Sequence, residues 1–268
     1  MPVNVGSTSS TGYLVTPTKP IRDNLQLFLD PANETSYSGG SSTLVNDLSA
    51  VNGPNDNTFT VNNVSQADLQ EAGYFNNFKF DGTNEYLLGT TNSTIDAGTG
   101  NFTLQMWINR PSSIEEFFFG KGDPSAPNNA KAFAFGTSDG NLETSGTRLV
   151  CLIKPTNTIL SFRTKSSLGT NQWINIAWAF TRTVADNKLY LNGVADTISQ
   201  LGGNSSNWSG AGTLQNSAEP VVGAVKLKTG IYLPSQAAFG PVLYYNRLLS
   251  GDEILHNYRL HANRYGLT

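Results

Sequence analysis

The sequence predicts an all-β fold: an antiparallel two-sheet sandwich with one short helix near its C-terminus. Three observations carry that prediction. Residues 173–181 (WINIAWAFT) alternate. Ile174, Ile176, Trp178 and Phe180 fall on one face, and Trp173, Asn175, Ala177 and Ala179 on the other. That is the period of two expected of a strand packed on at least one side. The run 188–191 (KLYL) ends in Asn192-Gly193, a dipeptide that favours a tight hairpin because both residues tolerate positive φ. Further apolar runs recur at roughly 8–15-residue intervals with turn residues between them, the spacing of a sandwich.

The elements follow in order. Residues 1–20 are rich in Ser, Thr, Gly and Pro, with Tyr13, Leu14 and Val15 as their apolar cluster. They read as an extended arm of roughly 65–70 Å at full stretch, with those three residues as the anchor on a neighbouring subunit. Residues 21–268 form the domain. Residues 25–30 (LQLFLD) alternate as a strand, and 44–48 and 58–61 are further strands. Residues 64–73 can form one helical turn with Ser65 as N-cap. Runs 77–80 and 85–88 flank the turn pair Asp81-Gly82.

In residues 101–109, Phe102, Leu104, Met106 and Ile108 are assigned to the core. Thr103, Gln105, Trp107 and Asn109 are assigned to an outer or concave face. Residues 116–120 (EFFFG) are a nearly continuous apolar run, so this strand is expected to be buried on both faces. Residues 132–135, 148–153 and 159–163 continue the series. Residues 201–216 form a long Gly/Ser/Asn loop carrying Trp208, and 220–226 and 237–245 are closing strands. Ser250 and Glu253 have capping-box spacing, and Ile254, Leu255 and Tyr258 stripe the helix that follows.

Composition narrows the function classes. Only 14% of the 268 residues are charged and the net charge is −3. No basic stripe appears, so nucleic acid is not an expected partner. Cys151 is alone in an apolar run, which predicts a small buried hydrophobe and no intrachain disulfide. Residues 1–15 have neither the basic nor the apolar region of a secretory signal. No run approaches the roughly 18 apolar residues of a membrane helix. The expectation is synthesis in the cytoplasm without a signal peptide.

Four stretches in order resemble the laminin-G-like, concanavalin A-like lectin/glucanase domains. They are 78–88 (FKFDGTNEYLL), 101–110 (NFTLQMWINR), the Trp-led strand with its "LYLNG" hairpin, and 242–258 (VLYYNRLLSGDEILHNY). The resemblance implies a jelly-roll sandwich. The opening LQLFLDPANETSY is similar to openings in bacteriophage and bacterial members. It implies a non-catalytic virion structural protein, such as a head-decoration, fibre or tail component. Such a protein would sit in the virion, joined to other virion proteins through its arm, as a homo-oligomer that grips host glycans. The alternative is a bacterial carbohydrate-binding or adhesion module.

Chemistry-bearing residues are few. Glycosidases of this fold carry carboxylates at alternate positions of one strand, so that acid and nucleophile share a face. Here Glu115 and Glu116 are adjacent and point to opposite faces, and Asp252 and Glu253 belong to the helix cap. His256 and His261 fall on the terminal helix, so no catalytic residues are assigned. The resemblance raises calcium, with Asp30, Asp81 and Asn84 as possible ligands. The family's acidic pair is missing at Gly240-Pro241-Val242-Leu243, so neither a cofactor nor a metal is expected. Sugar binding needs a flat aromatic beside amides or hydroxyls. Trp208 with Asn207 and Ser209 is one candidate, and Trp107 with Gln105 and Asn109 is the other.

Overall fold

The computed structural model describes residues 17–39, 42–49, 57–64, 77–91, 93–126, 131–138, 145–155, 159–202 and 212–267. Two antiparallel sheets face each other. The first runs β1 (Leu25–Leu29), β18 (Ala238–Tyr245), β6 (Phe102–Asn109), β11 (Trp173–Phe180), β12 (Lys188–Leu191) and β13 (Val194–Asp196). A short β4 (Phe78–Lys79) also pairs with β18. The second begins with β14 (Ile198–Gly202), β10 (Leu160–Ser167), β9 (Arg148–Lys154), β8 (Ala132–Gly136) and β7 (Phe117–Lys121). It continues through β15 (Pro220–Val222), β5 (Tyr86–Gly89), β3 (Phe59–Asn62) and β2 (Leu44–Val45). A separate hairpin joins β16 (Val225–Leu227) to β17 (Gly230–Tyr232).

The alternation read in the sequence selects the core. Phe102, Leu104, Met106 and Ile108 of β6 and Ile174, Ile176, Trp178 and Phe180 of β11 point inward. They meet Phe118, Phe119, Phe133, Phe135, Leu149, Cys151 and Ile153 of the second sheet. Phe102 lies 4.6 Å from Phe180, 5.0 Å from Trp178 and 5.1 Å from Phe133, centroid to centroid, which ties the two layers together. Each such ring or branched chain, fully buried, contributes roughly 1.5–3 kcal/mol. At the β12–β13 turn, Asn192 and Gly193 take φ of 50° and 77°, as a type I′ turn requires. Asn192 Oδ1 also accepts the Asn175 amide at 2.9 Å.

The other face of the first sheet is not open to solvent. Helix α1 (Gly251–Ala262) lies across it, and a 3-10 turn, Asn263–Tyr265, follows. The capping box forms as expected: Ser250 Oγ accepts from Glu253 N at 3.3 Å, and Glu253 Oε2 accepts from Ser250 N at 2.8 Å. The polar residues on this face hold the helix down. Gln105 Nε2 donates to Asn175 Oδ1 at 2.8 Å and to the Ile254 carbonyl at 3.0 Å. Asn257 Nδ2 donates to Gln105 Oε1 at 3.1 Å and to the Tyr245 hydroxyl at 2.9 Å. Thr103 Oγ1 accepts from Leu249 N and donates to Arg247 O. A buried polar group is tolerated only when it is bonded, and here the bonds fix where the helix docks.

Among the strands that differ in extent from their sequence reading, two have a clear local cause. The segment 44–48 is a strand only over Leu44–Val45, because Asp47 turns inward to accept the amides of Phe28 and Ser49, each at 2.8 Å. The run 220–226 is two strands, broken at Gly223. There φ is +88°, and a Cβ would lie 2.4 Å from the Phe80 ring. The break sends β16 over the outer face of the second sheet, where Val225 packs on Phe117, Ala134 and Leu152. The helical turn expected near Ser65 lies outside the described residues.

Candidate functional site

One end of the sandwich gathers most of the long connections. The register places the start of β6, the end of β11 and the start of β12 at this end of the first sheet. The Lys121, Ala132, Lys154 and Leu160 ends of β7 to β10 lie at the corresponding end of the second. Hydrogen bonds join the two sets of loops. Leu214 N donates to the Gly98 carbonyl at 2.7 Å. Lys121 Nζ donates to Asp96 Oδ1 at 2.7 Å and to the Asn216 carbonyl at 2.9 Å.

Side-chain cations organise these loops by seating in clusters of carbonyl oxygens. Arg182, just beyond β11, donates to Gly98 O at 2.5 Å, Gly212 O at 2.9 Å and Gly100 O at 3.3 Å. Its guanidinium stands 5.6 Å from the Phe180 ring centre, in cation–π range. Burial lowers the Arg182 pKa from its usual value. Lys154 Nζ donates to Ala126 O and Lys131 Nζ to Pro155 O. Burial works against the Asp123 carboxylate. Hydrogen bonds from the Ser125 hydroxyl and amide and from Lys228 N and Ala126 N outweigh it and hold its pKa below the usual range. The Lys228 bond fastens the β16–β17 hairpin to this end.

Asn207 and Trp208 themselves lie outside the described residues, but both flanks of their loop are placed. The loop leaves at Gly202, which pairs with Ser161 at the edge of the second sheet. It returns at Gly212, whose carbonyl is held by Arg182. The connection therefore starts from one sheet and comes back over the end of the other. Its sequence supplies amides, hydroxyls and one indole, and at this end of the sandwich Arg182 and Lys121 tie the described loops together. That combination suits a ligand with hydroxyls and a flat C–H face.

The other sequence candidates fall elsewhere. Trp107 is corrected: it has 0% exposure, stacks on Tyr258 at 5.4 Å and meets the tilted Tyr265 ring at 4.6 Å, beneath α1. Neither face of its indole is free for a sugar. Trp173 shares the cluster, 4.2 Å from Tyr265. Tyr13, Leu14 and Val15 lie outside the described residues, but the root of their arm is fixed. Ile21 N donates to Asn257 Oδ1 at 3.0 Å, Tyr245 Oη donates to Ile21 O at 3.0 Å, and His256 Nε2 is 2.9 Å from Lys19 O.

Of the calcium candidates, Asp30 is held by Arg264 through two bonds of 2.7 and 3.0 Å. Asp81 caps its own turn by accepting the Thr83 amide at 2.7 Å. Both lie at the end opposite the Trp208 loop, beyond β1 and β4. Among the described residues, no three His, Cys, Asp or Glu side chains cluster as a metal site would require. Glu116 is buried against Arg110 at 2.7 Å, Glu115 accepts from Ser138 Oγ, and Glu253 serves the helix cap. His261 is buried in the last turn of α1. Sequence reasoning missed Arg182 and the Lys121–Asp96 pair. Neither lies in a motif, since what matters is which loop carbonyl or carboxylate each meets across the fold.

A family model described as the concanavalin A-like lectin/glucanases superfamily matches residues 81–255. Among solved structures, the chain is similar to the binding domain of Paraclostridial Mosquitocidal Protein 1. That match has a TM-score of 0.61 and 16% identity, over 92% of this chain and 56% of that one. It is similar to Trypanosoma rangeli sialidase, with a TM-score of 0.59 and 14% identity, over 97% of this chain and 36% of that one. It is also similar to domain 4 of AbnA, a GH43 extracellular arabinanase from Geobacillus stearothermophilus, in complex with arabinotriose. There the TM-score is 0.54 and the identity 13%, over 88% of this chain and 98% of that domain. The first two matches leave a large part of the longer protein uncovered. No curated protein matches by sequence.

Proposed function

We propose a non-catalytic, glycan-binding function for this chain, which belongs to the concanavalin A-like lectin/glucanase superfamily. The observation that carries the proposal is the loop end of the sandwich. A Gly/Ser/Asn-rich connection bearing Asn207 and Trp208 runs between Gly202 and Gly212, both placed at this end, where Arg182 and Lys121 tie the neighbouring loops together. Indole stacking on the sugar C–H face, with amide and hydroxyl bonds to its hydroxyls, is the recognition chemistry. The outer faces of both sheets are partly occupied by the chain itself, one by α1 and the other by the β16–β17 hairpin. That favours a site on loops over a long cleft on a sheet face. Solved AbnA domain 4 carries arabinotriose, so arabino-oligosaccharides belong in the first screen. A glycan array probed with the full chain tests the proposal. Selective retention of one sugar class is expected, and binding to none overturns it.

The finer reading places this sandwich on a bacteriophage particle as a structural component. It is supported by the resemblance of the opening LQLFLDPANETSY to phage members and by the pinned root of the arm at Ile21. A segment that leaves from a fixed point can be aimed at a neighbouring subunit. Light scattering after size-exclusion chromatography tests this on the full chain and on a version starting at Ile21. A defined oligomer lost on truncation supports the reading, and two monomers count against an assembling arm.

A further inference from the structure

Among the described residues, the buried lysines and arginines are Arg110, Lys121 and Lys154, at 0%, 1% and 5% exposure. Arg110 is paired with Glu116 and Lys121 with Asp96, each at 2.7 Å. Lys154 meets no carboxylate, and its Nζ donates to the Ala126 carbonyl. Lys131, which is partly exposed, repeats the arrangement with Nζ on the Pro155 carbonyl. Ala132 is the cross-strand partner of Lys154, so the two lysines stand together at the loop end of β8 and β9. Lys154, in β9, holds the loop that leads into β8. Lys131, just before β8, holds the loop that leaves β9. The acids of this end are engaged elsewhere. Asp96 serves Lys121, and Glu219 pairs with Lys226 at 3.3 Å. Asp123 accepts from Ser125, Ala126 N and Lys228 N. A neutral carbonyl offsets the burial of an ammonium less fully than a carboxylate does. An ammonium also carries several donors, of which each loop carbonyl takes one.

We propose that Lys131 and Lys154 are the receptor for an anionic group on the bound glycan, a carboxylate or sulfate carried by an acidic sugar. The proposal rests on the glycan-binding reading above and adds the class of sugar. The anion meets the partly exposed Lys131 first and then takes the place of the Ala126 carbonyl on Lys154. The exchange is favourable because a hydrogen bond from an ammonium to a charged oxygen is shorter and roughly twice as strong as one between neutral groups. It also supplies the counter-charge that the fold gives Arg110 and Lys121 but withholds from Lys154. A sugar hydroxyl gains no such advantage over the carbonyl already in place, so neutral glycans bind more weakly. Two ammonium groups act as point charges and do not demand the planar, two-pronged acceptor that arginine prefers. Carboxylate and sulfate are therefore both accommodated, and the measurement below separates them.

The test is a glycan array carrying uronate-containing, sialylated and sulfated glycans, each beside its own neutral form with the carboxylate reduced or the sulfate removed. It is probed with the full chain, with Lys154→Met and with Lys131→Gln. The wild-type chain should hold an acidic form at least about tenfold more tightly than its neutral partner, and that difference should shrink in both variants. Whether the retained glycans carry carboxylate or sulfate identifies the group. Equal retention of acidic and neutral forms by the wild-type chain overturns the proposal while leaving the glycan-binding reading in place, and it needs no variant to fold. A preference for acidic forms that survives unchanged in both variants also overturns it. Retention of no glycan at all removes the glycan-binding reading and this proposal with it.

Discussion

Removing the charge of Glu116 should be among the most damaging single changes in the domain. Arg110 and Glu116 are both 0% exposed, and Arg110 Nε donates to Glu116 Oε1 at 2.7 Å. The second carboxylate oxygen accepts from Ser235 Oγ at 2.6 Å and from Gln236 N at 3.0 Å. Arg110 also donates to the carbonyls of Gly146 at 2.7 Å and Ile114 at 3.1 Å. Glu116→Gln keeps the shape but leaves a guanidinium buried without its counter-charge, which costs about 3–5 kcal/mol. Arg110→Met leaves the carboxylate uncompensated and also takes the Arg110 donor from the Gly146 carbonyl, at roughly 1–3 kcal/mol, while the Ile114 carbonyl keeps the Thr137 hydroxyl. The double variant keeps the carbonyl penalty but buries no lone charge. It should therefore be less destabilised than the sum of the singles, because the lone-charge cost of about 3–5 kcal/mol counted in each single is absent from it. Urea unfolding followed by fluorescence of the buried tryptophans measures all four corners of this cycle. A Glu116→Gln cost below about 1 kcal/mol, or additivity within about 0.5 kcal/mol, would refute the reasoning.

Other consequences can be checked separately. Burial, and then the Arg264 charge, lower the His261 pKa from 6.5 to about 4. The unfolded chain therefore takes up a proton that the folded one refuses as pH falls through 6.5. Stability should decline from about pH 6.5 to about pH 4, by roughly 3 kcal/mol in full, and His261→Gln should flatten that slope in urea titrations. Trp107→Ala should cost about 3–5 kcal/mol by opening a cavity under α1, yet leave glycan affinity unchanged wherever the chain remains folded. Arg182→Ala should barely change the urea midpoint but speed proteolytic cleavage in residues 203–211, because Gly98, Gly100 and Gly212 lose a shared donor. Burial raises the Cys151 thiol well above its usual pKa, so a thiol reagent should label it only on unfolding.

The fold was legible where alternation and turn chemistry coincide. The inward rows of β6 and β11, the Asn192-Gly193 turn and the Ser250–Glu253 cap are local patterns, and the structure bears them out. What stayed hidden was non-local. Thr103, Gln105 and Trp107 read as a half-polar outer row, but their amides and hydroxyl are the seat of α1, and a period of two cannot show what covers a face. The kink at Gly223 looked like a strand interior, because the positive φ and the Phe80 ring across the fold that demand a glycine there leave no mark on the local pattern. Of the candidate site, the composition of the Trp208 loop was visible at once. Its anchors were not, since Arg182 reaches carbonyls 82 and 84 residues away in sequence.

The most direct test of the central claim is calorimetric titration of the best array sugar into the full chain and into Trp208→Ala. If the loop end is the binding site, the variant should unfold at the same urea concentration as wild type. It should also lose at least about tenfold in affinity, or roughly 1.4 kcal/mol. Equal affinity in the two proteins would contradict the claim and move the site away from this loop.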